Sequence, residues 1–289
     1  MQYLLNGLPI GATYALIALS YSLIYASAGV LNWCQGDMAM LGAYVAYTLN
    51  RIVGLSFLPS MVAAMACTAL AGALVEWGVL RPLRRRGAPS INVVIATLGA
   101  AIIARNCALI IWGPDAQLFP SPVGSQTVSV AGLRLVPQDL LVVAVGILLM
   151  VLLQYFLRFT REGKALRAVA QDRMAASLMG IDVGRSDSVA FATSAALGAA
   201  AGILIAPLFF VTFNMGAVIG IKGFVAAVVG GLGNIPGAIA GGFFLGLTEA
   251  VAGGKISSGY RDAISFAVLI LVLWLKPSGL FSKTSRPKV

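Results

Sequence analysis

A few polar side chains interrupt apolar sequence where hydrocarbon is expected. Asn32, Gln35 and Asp37 lie within "GVLNWCQGDMAMLGAYVA" at 29–46, Arg105 and Asn106 inside the run 91–113, and Asn234 and Glu249 at the head and towards the end of the run 235–253. The chemistry open to such a set is narrow. The chain has no histidine, so the commonest metal ligand and proton shuttle is missing. Cys34, Cys67 and Cys107 lie far apart with no C-x-x-C, which indicates neither a metal site nor a disulfide framework. No nucleophile and base stand in a recognisable constellation, so no catalytic residue and no cofactor are expected. What remains is noncovalent work: amides, carboxylates and a guanidinium that cap helix ends, pair charges, or meet a polar solute. Ionisable groups inside apolar spans are costly and are functional candidates for that reason.

The elements that must hold these groups are membrane helices. Of the 289 residues 59% are hydrophobic and 10% charged, against about 25% charged in an ordinary soluble domain. Apolar runs near 3–31, 38–55, 58–80, 91–113, 138–158, 188–212, 215–232, 235–253 and 262–276 are long enough to be read as spans. A β-barrel would instead alternate apolar and polar residues in short segments. The fold expected is an all-α polytopic bundle of about eight or nine transmembrane helices, forming one domain over 1–289. No Lys or Arg precedes the first apolar stretch, so a cleaved signal peptide is not expected.

The net charge of +10 is a topology signal and gives no sign of nucleic-acid binding. Arg81, Arg84, Arg85 and Arg86 form one cluster; Arg158, Arg161, Lys164, Arg167, Arg173 and Arg185 a second; Lys276, Lys283, Arg286 and Lys288 a third. Each lies beside the end of an apolar run, as short cytoplasmic loops retain basic residues. The amino terminus and the proline-rich loop 113–138 then face outward, with nine crossings, or eight if one short segment is re-entrant. Between 158 and 187 the chain reads "RFTREGKALRAVAQDRMAASLMGIDVGRSD", with apolar positions recurring at three- and four-residue steps. This predicts an amphipathic cytoplasmic helix or helix pair ended by Gly180, either lying on the membrane surface or docking another protein.

The break at 29–46 has a counterpart in "VVGGLGNIPGAIAGGFFLG" at 228–246, where an apolar span also stops at a Gly/Asn turn. Paired breaks suggest an internal repeat, and broken helices often line a solute path. Asp37 or Asn32 is expected to cap the following helix, with Gln35 and free backbone amides facing water or a polar substrate. Capping at a watery interface and lining the path both stay open. Glu76 is expected to pair with the 81–86 arginines, and Arg105 with Glu249 or Glu76; Lys222, Lys255 and Arg261 are placed near the outer face, within reach of a soluble partner.

Four stretches taken together, "LLNGLPIGATYALIALSYSLIYASAGVLNWCQGDMAMLGAYVA", "RPLRRRGAPSINVVIATLGAAIIARN", "GKALRAVAQDRMAASLMGID" and "AAVVGGLGNIPGAIAGGFFLGLTEA", resemble successive parts of the branched-chain amino-acid ABC importer permeases. The resemblance implies an inner-membrane permease subunit that switches access between the two sides. It also implies partners: two ABC ATPase subunits, a second homologous permease, and a periplasmic or lipid-anchored binding protein, all in a lipid bilayer. Such permeases carry a coupling loop of pattern E-A-A-x-x-x-G. Here "MAASLMG" at 174–180 matches it at Ala175, Ala176 and Gly180 and places Met174 where Glu is usual, with Leu178 and Met179 as adaptable apolar surface. The chain has no G-x-x-x-x-G-K-[ST] phosphate loop, so ATP hydrolysis is expected in the partner subunit. Two family positions differ, "NWCQG" for "NFAHG" and "RN" for "QN". The rival reading is a stand-alone ion-coupled transporter or channel, which leaves 158–187 without a role.

Overall fold

The computed structural model describes residues 2–124, 128–130, 133–255 and 258–281, and most of them are helical. In chain order the helices are α1 (Gln2–Ala28), α2 (Gln35–Arg51), α3 (Phe57–Val75), α4 (Arg81–Arg85), α5 (Ser90–Trp112), α6 (Pro137–Phe159), α7 (Arg161–Gln171), α8 (Arg173–Leu178), α9 (Val183–Phe209), α10 (Met215–Gly230), α11 (Ile235–Lys255) and α12 (Arg261–Leu275). A π-turn over Glu76–Leu80 joins α3 to α4 without a break. Pro82 supplies the reason: it lacks an N–H and its ring would crowd the carbonyl four residues back, and a widened turn absorbs both. Six of these helices are long and apolar enough to cross a membrane: α1, the α3–α4 run, α5, α6, α9 and α11. The loop after α5 carries a short antiparallel hairpin, β1 (Val128–Val130) against β2 (Leu133–Leu135), with Val128 opposite Leu135. It was not expected from sequence and leaves the helical architecture unchanged.

α1 and α9 are the central posts. Over their most apolar stretches 89% and 78% of residues are buried, against 17% for α5. A helix apolar all round must be enclosed by protein or by lipid. α1 and α9 take the first option, while α5 turns Ile102, Ile103, Ile110 and Ile111 outward. Between helices in lipid, close packing replaces the hydrophobic effect, so small residues mark the tightest contacts. A Cβ on Gly246 of α11 would collide with the backbone of Gly11 in α1, and one on Gly242 with Ala15.

Two units share one backbone plan. α1 has 27 residues, breaks over 29–34, and is followed by the 17-residue α2; α9 has 27 residues, breaks over 210–214, and is followed by the 16-residue α10. Each short helix packs on the other unit's long one, α2 against α9 at Gly42, Gly198 and Gly202, and α10 against α1 at Gly223 and Ile17. The break at 228–246 is therefore not the partner of 29–46: the turn before α11 lacks the following short crossed helix. Of the third basic cluster, Lys276 donates to the Leu280 carbonyl at 2.8 Å; Lys283, Arg286 and Lys288 lie outside the described residues.

Candidate functional site

One group of charges gathers where α1, the α3–α4 run, α8 and α9 meet. Asp187, buried at the start of α9, receives Arg173 through two hydrogen bonds of 3.0 and 2.8 Å, Arg84 at 2.8 Å and the Ser27 hydroxyl at 3.0 Å. Arg173 also donates to the Ser27 carbonyl. Arg84 reaches on to Glu76 at 2.6 Å, and Ser188 donates to the other Glu76 oxygen. Two buried carboxylates thus share donors from four elements, so neither is left unpaired. The expected pairing of Glu76 with the arginine cluster is observed.

Arg173 opens α8, and the local sequence shapes that corner. Thr160 caps α7, accepting from the Gly163 amide at 3.0 Å; Asp172 separates the two helices and caps α8, accepting from Met174 and Ala175 amides at 2.8 and 2.9 Å. Asp182 caps α9 by accepting from Arg185 at 3.0 Å, and that backbone hydrogen bond holds its carboxyl below the usual range. Gly180 turns with φ +83°, a conformation open to glycine at little cost. α7 buries Leu166 and Val169. α8 does the reverse: Met174, Leu178 and Met179 are 77%, 82% and 83% exposed. Ala175 and Gly180 are exposed beside them, whereas Ala176 is buried at 4% and faces its own chain.

The second group lies in the first break. Asn32 accepts from the Cys34 amide at 3.1 Å, a local turn, and the Trp33 amide donates to Thr97 of α5 at 3.2 Å. Gln35 donates to the Ser194 carbonyl at 2.8 Å, and the Ser194 hydroxyl donates to the Ser20 carbonyl at 3.0 Å. Asp37, 1% exposed, takes a two-point contact from Arg105, Nε at 2.6 Å and Nη2 at 3.1 Å. Arg105 sits about 22 Å along α5 from Ser90 at about 1.5 Å per residue. The pair therefore lies well inside the apolar span of α5, with Asp37 buried and Arg105 partly exposed, where two charges persist only together. Neither Asp37 nor Asn32 caps α2: Cys34 holds the cap position without a side-chain bond, and Asp37 is one turn further in, where a negative charge still suits the helix dipole.

Of the residues expected to share a path, Asn32, Gln35, Asp37 and Arg105 come together around the start of α2. Asn106 turns outward and bonds the Ile102 carbonyl of its own helix at 2.8 Å. Asn234 is half-exposed at the start of α11 and donates to the Phe281 carbonyl at 2.7 Å. Glu249 pairs with Lys222, which also meets Asp262 at 2.8 Å, so Arg105 pairs with neither Glu249 nor Glu76. The reason is geometric: α5 flanks α2, whereas Glu249 faces α10 and α12. Lys222, placed at the outer face by sequence, is mostly buried against these two acids. Asp187, Arg173, Thr97 and Ser194 were not singled out from sequence as partners; a lone acid early in an otherwise apolar helix was the signal available for Asp187.

The two units meet where the short helices begin. A Cβ on Gly36 would collide with the Gly216 carbonyl, and one on Gly216 would stand 2.7 Å from the Gly36 carbonyl. Trp33 lies 5.1 Å from Phe224 of α10, ring centre to ring centre. Two helix amino termini, each with partial positive charge, thus converge inside the bundle. Such an arrangement suits passage of a polar solute through an apolar layer, and among the described residues no group of histidine, cysteine or carboxylate side chains could hold a metal.

The family model described as "Branched-chain amino acid transport system / permease component" matches residues 3–273. The chain is 33% identical over 302 residues to the high-affinity branched-chain amino acid transport system permease protein BraD of Pseudomonas aeruginosa, covering all of this chain (100%) and 98% of BraD. It is 33% identical over 307 residues to LivH of Escherichia coli K12, with 100% and 97% covered, and 31% identical over 283 residues to the probable LivH of Methanocaldococcus jannaschii, with 92% and 87% covered.

Proposed function

The chain belongs to the branched-chain amino acid transport permeases, and on that premise we propose that it is the membrane-spanning subunit of an ATP-driven amino-acid importer in the bacterial inner membrane. In this reading α2, α10 and α12 complete the crossings begun by the six longer spans, giving nine, and the arginine-rich end faces the cytoplasm. A second permease stands beside it, a soluble receptor delivers substrate to the opposite end, and two ATPase subunits engage α8.

One observation carries this assignment. α8 holds three large apolar side chains, Met174, Leu178 and Met179, out from the protein while Arg173 at its first residue is tied to α1 and α9. An exposed apolar patch of this kind fits a partner's groove, and Met adapts its shape to one. Motion imposed on the patch by closure of the ATPase dimer would be handed through Arg173 and Asp187 to the central posts. The break before α10 would then open alternately to each side.

The test is co-purification and transport. The parent chain is expected to retain an ATPase through detergent extraction; Leu178→Glu with Met179→Glu should release it and abolish uptake while leaving the permease folded. Ala176 is unsuited to this test, because it is buried and a change there would confound docking with folding. Uphill transport by the purified chain alone in liposomes, without any ATPase, would overturn the proposal in favour of an ion-coupled transporter.

A further inference from the structure

At the end opposite the arginine clusters, α1, α9, α10, α11 and α12 enclose a cavity of about 320 Å³, within the usual range of small-molecule sites, about 300–1,000 Å³. Its walls are largely apolar, with Ile205, Val218 and Ile219 among them, and its charges are Lys222, Glu249, Arg261 and Asp262. These four sum to no net charge, yet they do not satisfy one another. Lys222 is shared by one oxygen of Glu249 and by Asp262. The other oxygen, Oε2 of the 3%-exposed Glu249, is buried with no hydrogen-bond partner, and so is Nε of Arg261.

A buried charged atom without a partner is expensive, and a structure that keeps one invites an explanation. Here there are two, of opposite sign, in one cavity: an anionic acceptor beside the Tyr14 hydroxyl and a cationic donor, neither closed by a short hydrogen bond. A purely structural ion cluster would have closed them on each other. We propose that this cavity is a binding subsite for a zwitterionic α-amino acid with an aliphatic side chain. The ammonium group is held by Glu249, the carboxylate by Arg261, and the side chain lies against Ile205, Val218 and Ile219. Lys222 stays engaged with the two acids and fixes the Glu249 carboxylate. The Tyr14 ring, 5.8 Å from the Lys222 nitrogen, covers that ammonium from α1. The assignment rests on the importer reading and adds to it the place where cargo first touches this subunit.

The experiment uses the complete importer in proteoliposomes with its loaded receptor, measuring L-[³H]leucine uptake and ATP hydrolysis side by side. Glu249→Gln and Arg261→Gln each remove one ionic hydrogen bond and should lower uptake per ATP by about tenfold or more, with assembly and receptor-stimulated hydrolysis retained. Val218→Trp starts from a half-exposed position, fills the cavity without altering a charge, and should do the same. It decides the matter if either charge variant fails to assemble. Unchanged uptake per ATP in the assembled variants overturns the subsite while leaving the importer reading intact. Loss of receptor-stimulated hydrolysis at normal assembly also overturns it, because the charges would then serve receptor docking. Absence of ATP-dependent uptake by the parent complex instead sinks the importer reading itself.

Discussion

The α1–α2 unit and the α9–α10 unit are built alike and used differently. In the first, the break is sealed. Its polar groups are taken up by α5 through Thr97 and Arg105, and its sharp turn falls on Gly29, at φ +67°. In the second, the turn falls on Phe210 at φ +61°, a conformation that side chains rarely adopt, and the Val211 backbone is held by Gln117 through a pair of 2.9 Å hydrogen bonds. Beyond it α10 borders the cavity with its unsatisfied charges. With the proposed subsite, a duplicated backbone plan would use one copy to hold the bundle together and leave the other to meet cargo.

The largest test of this division is Arg105→Met. It strands Asp37 in the interior and should cost about 3–5 kcal/mol, seen as a collapse in folded yield after detergent extraction. The double variant Asp37→Leu with Arg105→Met should recover most of that loss, because the pair is structural. Normal yield with lost transport in the single variant would place the first break on the solute path and erase the distinction. Next comes Gly36→Val, at the contact where the units touch. Backbone lies on both sides there, so the added side chain should cost about 3 kcal/mol and show as a lower midpoint in thermal unfolding.

A smaller pair of changes compares the two turns directly. Gly29→Ala should destabilise by about 1 kcal/mol, whereas Phe210→Gly relieves strain at a half-exposed site and should be neutral or stabilising by up to about 1 kcal/mol. Equal losses in both would mean that the two turns carry the same strain. The smallest effect is expected from Gln35→Leu. One hydrogen bond to Ser194 is lost, but the Gln35 carbonyl oxygen has no partner in the first place, so the net change should stay within about 1 kcal/mol.

Much of this was legible in the residues and some of it was not. Hydropathy placed the apolar runs because length and burial in lipid are local properties. The polar turn at 32–37 stood out because hydrocarbon tolerates so little of that composition. The partner of that turn did not, since Phe210–Asn214 is nearly as apolar as its flanks and resembles 29–34 only in backbone course. Composition drew the eye instead to Gly233 and Asn234, whose turn lacks the following short crossed helix. Arg105 announced itself as a charge within an apolar run, but its partner stands 68 residues away, and only the packing of α5 beside α2 selects Asp37 over Glu76 or Glu249. The exposure of Met174, Leu178 and Met179 against the burial of Ala176 depends on how α8 sits on α9, which a periodic pattern over six residues does not fix.

α1 touches both ends of the problem. Ser27 is bonded to Asp187 and Arg173, and Tyr14 walls the cavity about 20 Å away, along a stretch with no proline, since Pro9 lies beyond it. In the proposed importer a single stiff rod would therefore join the motor's point of purchase to the cargo's, coupling thrust to grip. Loosening that rod midway with paired glycines would let fuel burn without freight moving.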